Sequence, residues 1–167
     1  MAGWDNYFIL TGTGAVTLIG LLFVVIAFGV ERLEQGSAWL LRTYITPTLV
    51  HFGGVFLIAL LALSPEPNGL ILRFGLVGIA GSVYSVNIAL RVASNAGLFS
   101  DAWVFHGGVP LACYVVILAT VTTALLGVTS MRQVYLALGI ISALLLIVGM
   151  RNAWAAATDI ARRKILE

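Results

Sequence analysis

Five long apolar runs dominate this chain and leave little sequence between them. They cover about residues 8–30, 47–63, 70–92, 109–129 and 134–157. A helix needs about 20 mainly apolar residues to cross a hydrocarbon core of about 30 Å. Only helices and closed barrels satisfy their backbone polar groups in lipid, and runs of this length are helical rather than strand-like. The expected fold is therefore all-α: a polytopic membrane helix bundle with five transmembrane helices, forming a single integral membrane domain over residues 1–167. Charge supports this. Asp, Glu, Lys and Arg make up 10% of the residues, against about 25% in an ordinary soluble domain. That is too little polar surface for a water-facing globule, a disordered tail or a nucleic-acid-binding face.

The boundaries are marked by polar clusters. The first run ends at Glu31-Arg32-Leu33-Glu34, and the second is closed by the turn-forming stretch Ser64-Pro65-Glu66-Pro67-Asn68-Gly69. The segment Glu31 to Tyr44 has two readings: a stretch lying flat at the interface with Trp39 and Tyr44 at headgroup depth, or a polar connection. Ser94 to Gly108 is rich in Gly, Ser and Asn and reads as a loop, with Val109-Pro110 starting the fourth helix. Asp5 and the lack of Lys or Arg before the first run are unlike a signal peptide, so that run is expected to stay in the membrane.

Basic residues in short loops set orientation. Placing the first and third loops and the C-terminus on one side gathers Arg32, Arg42, Arg91, Arg151, Arg162, Arg163 and Lys164 there, and leaves Arg73 and Arg132 opposite. This predicts the N-terminus outside and the C-terminus in the cytoplasm.

Polar residues inside the runs carry what functional signal there is, because such residues are costly in lipid. On the third helix Arg73, Tyr84, Asn87 and Arg91 fall on one face. The two arginines are eighteen residues apart, about 27 Å at 1.5 Å per residue, which suits anchors at opposite interfaces or a polar seam. His51, Asn87, Arg91, Arg151 and Asn152 lie at similar depth and, with Tyr84, form the candidate site: a pocket for an anion or a lipid phosphate, or an ion-pair network with nearby carboxylates. A second stripe, Gly78, Ser82, Ser85 and Ala89, has the spacing of a helix-packing face. Thr11, Thr13, Thr17, Thr120, Thr122 and Thr123 are expected to bond back to their own helices. Cys113 reads as a small packing residue.

No catalytic or cofactor pattern is recognisable. His51 and His106 fall on the same side, so a bis-histidine haem site is conceivable, yet His106 lies in a Gly-rich stretch and nothing else marks a cofactor pocket. No zinc spacing, nucleophile elbow or phosphate loop is present. The expectation is a protein with no cofactor and no metal.

Gly20-Leu21-Leu22-Phe23-Val24, Thr46-Pro47-Thr48-Leu49-Val50-His51-Phe52, Val109-Pro110 with Tyr114, and Gly149-Met150-Arg151-Asn152-Ala153-Trp154 together resemble a group of small bacterial inner-membrane proteins. The resemblance implies a multi-pass protein of the bacterial inner membrane and carries no activity with it.

Two functional readings follow. The first is a non-enzymatic integral membrane protein acting through helix packing, in a homo-oligomer or with a larger membrane partner. It rests on the small-residue stripe and the short loops, and its partners are the bilayer, anionic lipid included, and not nucleic acid. The second is a channel or transporter for a small ion or solute, using the polar face of the third helix.

Overall fold

The computed structural model describes residues 3–30, 45–65, 69–96 and 101–163. Every regular element among them is helical. α1 is Trp4–Val30, α2 is Thr46–Ala62 and α3 is Leu70–Ala96. α4 begins as α-helix over Asp101–Trp103, widens to π-helix over Val104–Gly108 and returns to α-helix over Val109–Leu125. α5 is Met131–Arg163. Four helices are long and apolar enough to cross a membrane, over Trp4–Ala27, Leu70–Ser94, Val104–Leu125 and Met131–Thr158, while α2 has 17 residues.

The punctuation is chemical. Pro47 sits at the start of α2, where a missing N–H does no harm. Gly69 and Gly127 take the left-handed conformation, at φ 72 and φ 73, beside the starts and ends of helices. Ser130 precedes α5, and the Gln133 side chain accepts from the Ser130 main-chain N–H at 2.8 Å, a capping box in its Gln form.

The stretch Ser94–Gly108, expected as a loop, is the main departure. α3 runs on to Ala96 and α4 starts at Asp101. Gly and Asn weaken a helix in water, but a chain at membrane depth must satisfy every N–H internally, and that favours helix over loop. The segment expected between Glu31 and Tyr44, with Trp39 and Tyr44 as interfacial anchors, lies outside the described residues.

The five helices form a ring in which each touches the next and α5 touches α1, with α2 and α5 also in contact across it. One half of the interior is apolar. Val55, Ile58, Phe74, Ile117, Val134, Leu138 and Leu145 are almost completely buried there. An aromatic group closes that end: Trp4, Tyr7, Phe8 and Tyr135 pack ring against ring, and the Tyr7 hydroxyl donates to the Gly139 carbonyl at 2.6 Å. Leu10, Leu76 and Leu126 are among the large side chains on the outer faces, as expected where lipid rather than water is the neighbour. Thr11, Thr17, Thr120, Thr122 and Thr123 each donate back to a carbonyl of the preceding turn.

Candidate functional site: a buried polar cluster

The other half of the interior is polar. His51 stands five residues past Thr46, roughly 7.5 Å along α2, and its side chain is completely buried. Tyr114 of α4 reaches it. The Tyr114 hydroxyl lies 3.4 Å from His51 Nδ1, with ring centroids 6.0 Å apart. Tyr84 of α3 presents its ring edge-on to the same imidazole, 6.5 Å away between centroids.

Glycines make this approach possible. A Cβ at Gly54 would fall 2.6 Å from the Tyr114 hydroxyl, and one at Gly81 would overlap the Tyr114 ring. The ring is therefore seated between the backbones of α2 and α3. The same logic extends along α3. Gly78 takes Leu118 and Ile117 of α4, and Ala89 meets Gly107, where a Cβ would lie 2.7 Å from Ala89 Cα. Gly78 and Ala89, the two ends of the small-residue face Gly78, Ser82, Ser85 and Ala89, thus pack against α4 of the same chain.

α4 contributes more than Tyr114. His106 sits in the π-helical segment, is 2% exposed, and is within electrostatic reach of His51. From α5, Asn152 Nδ2 donates to the Phe105 carbonyl at 3.1 Å. Arg151, its neighbour, turns outward and lies over the Phe105 ring, 3.5 Å from the centroid.

The residues expected to converge therefore divide. His51, Tyr84 and Asn152 face the interior. Asn87, Arg91 and Arg151 are exposed, and the Asn87 amide donates back to the Val83 carbonyl at 2.8 Å. Cys113 is a buried packing residue. His106, Tyr114 and Ser85 complete the interior group. The signal for Tyr114 was available as a tyrosine together with Gly54 and Gly81, but pairing them requires knowing that α2, α3 and α4 are neighbours. His106 was hidden by its glycine-rich surroundings.

Two properties define what this arrangement does chemically. First, among the described residues it contains no acidic, lysine or arginine side chain. The buried polar side chains of the described residues are His, Ser, Thr and Asn, with no Asp, Glu, Lys or Arg. Second, several are unsatisfied. His51 Nε2, the Tyr84 hydroxyl, Ser82 Oγ, Ser85 Oγ and Asn152 Oδ1 are buried and have no hydrogen-bond partner among the described residues. Each such group costs about 1–3 kcal/mol when left unmade. Among the described residues no three His, Cys, Asp or Glu side chains come together as a metal-ligand set. No family model, curated protein or solved structure matches the chain.

Proposed function

We propose that this chain is a multi-pass protein of the bacterial inner membrane that binds and carries a small uncharged, hydrogen-bonding solute at the His51 cluster, without chemistry on it. The observation that carries the reading is the His51 imidazole, completely buried with Nε2 unpartnered, beside the ring of Tyr84, whose hydroxyl is also buried and unpartnered. Unpaired polar groups at membrane depth are retained where they serve a pathway or a ligand. A charged solute would leave water for a site with no opposite charge, which is strongly unfavourable. A neutral donor–acceptor molecule meets the open groups at little desolvation cost.

The topology in this proposal has five spans. α2, at 17 residues, is about 25 Å long and reaches the lower limit for crossing. The N-terminus is outside and the C-terminus cytoplasmic, on the strength of the basic-residue bias. The cluster then lies toward the cytoplasmic end, where α2 and α4 begin and α3 and α5 end. The apolar half of the core blocks the way beyond it, which favours a carrier with alternating access over an open pore. Packing with a second copy or a larger partner draws less support, because Gly78 and Ala89, the two ends of the α3 stripe that motivated it, are taken up by α4.

The test is solute entry into vesicles. Purified protein is reconstituted, and entry of glycerol, urea and ammonia is followed by stopped-flow light scattering or an internal pH dye. Entry of at least one probe is expected to exceed that of protein-free vesicles and to return to their rate in His51→Leu. Identical rates with and without protein for all three probes overturn the proposal.

A further inference from the structure

The π-helical segment of α4 has a cause that can be read from one residue. Pro110 has no amide hydrogen. In a continuous α-helix its missing donor belongs to the carbonyl four residues back, His106. In a π-helix it belongs to the carbonyl five residues back, Phe105. The last π bond before the proline is in place, with Val109 N–H donating to the Val104 carbonyl. The next rung is the one the proline cannot supply.

One of the affected carbonyls is met from another helix. Asn152 Nδ2 of α5 donates to Phe105 O at 3.1 Å. So α5 holds a carbonyl that Pro110 releases. The wide turn is fastened by a side chain of the cluster itself.

The consequence is positional. A π-turn holds one more residue than the α-turn it replaces. Returning it to α-helix rotates everything N-terminal to it by about 100°, the angle per residue of an α-helix. With the turn wide, His106 is inside the bundle, 2% exposed. Gly107 lies directly on Ala89, and a Cβ on Gly108 would meet the Trp103 ring at 3.0 Å.

We propose that the π-turn at Val104–Gly108 is a register switch controlling the solute site, set to its wide form by Asn152 and able to return to α-helix with His106 turned out of the cluster. A solute that takes the hydrogen bond of Asn152 withdraws the fastening, so binding and the register of α4 are coupled. That coupling rests on the carrier reading given above; the two registers themselves do not.

The chain has two histidines, which makes the switch directly observable. Histidine- and tyrosine-labelled protein in lipid bilayers is compared by solid-state NMR as wild type and Asn152→Val. Asn152→Val removes the donor to Phe105 O. The wild type should show a His51–His106 correlation. The variant should weaken it about twofold, as a tenfold (~1.4 kcal/mol) shift of a roughly 10:1 register preference gives, and should keep the His51–Tyr114 correlation. Retention of the full His51–His106 correlation in the variant overturns the switch. Loss of the His51–Tyr114 correlation alongside it also overturns it, because the bundle has then loosened rather than changed register. The spectra require no solute. A protein that shows the register change yet moves no probe in vesicles refutes the carrier, and a protein that moves a probe without the register change refutes only the switch.

Discussion

Gly81→Ala is the sharpest perturbation of the packing that builds the site. A Cβ there overlaps Cδ1, Cε1 and Cγ of the Tyr114 ring. The ring has little room to retreat. It is 1% exposed, and its hydroxyl end stands against Gly54 on the opposite side. Overpacking of this kind costs typically 1–3 kcal/mol. The upper half of that range applies because the obstacle is a rigid ring rather than a flexible chain end. Replacing Gly by Ala within a helix returns about 1 kcal/mol, so a net loss of ~1–2 kcal/mol is expected. Reversible unfolding in mixed micelles measures it, with Gly14→Ala and Gly53→Ala as controls, since a Cβ at either meets nothing within 4 Å. The controls should be neutral or slightly stabilising. On a Tyr114→Leu background the clash should largely vanish and Gly81→Ala should become slightly stabilising, giving a coupling energy of ~2–3 kcal/mol. A penalty that persists without the ring, or no penalty with it, refutes the seating of Tyr114 between α2 and α3.

Tyr7→Phe removes the hydroxyl that donates to Gly139 O, and the same unfolding assay should report a loss of about 0.6 kcal/mol, the average for interhelical bonds in a bilayer. Gly127→Ala places a side chain on a left-handed residue at φ 73 with open space around it. The loss, ~1–2 kcal/mol, should come from backbone conformation alone, and Gly127→Asn should recover part of it.

The helical architecture is legible because the bilayer imposes it. Runs such as 70–92 and 134–157 are too long and too apolar for anything but spanning helices, and the observed α3 and α5 contain them. Residues such as Leu72 and Ile147 face outward because lipid accepts apolar surface on every face, so hydrophobic patterning does not reveal which side is inside. That is why Asn87 and Arg91 were grouped with Tyr84 from helical spacing. A face on α3 can be assigned from sequence, but whether the bundle or the lipid meets it cannot. His106 fails for a different reason. Its glycines and Pro110 read as a loop by propensity in water, whereas at membrane depth they produce a π-turn whose Phe105 carbonyl is held by Asn152, far away in sequence. Asn152 was legible as a polar residue, and its partner, Phe105 O, was not, since a main-chain acceptor leaves no mark in the side-chain pattern.

The central claim is that the polar cluster is reachable by small molecules while the other half of the core is sealed. It is tested most directly by cysteine reactivity in lipid. Ser85→Cys and Ala59→Cys, each on a Cys113→Ala background, place one thiol in the polar half and one in the apolar half, at positions that are 0% and 3% exposed. Reaction with methyl methanethiosulfonate needs the thiolate, and therefore hydration at the sulfur. The account predicts that Ser85→Cys is modified and that Ala59→Cys is inert. Equal inertness of both would contradict it, showing a closed polar core with no site inside.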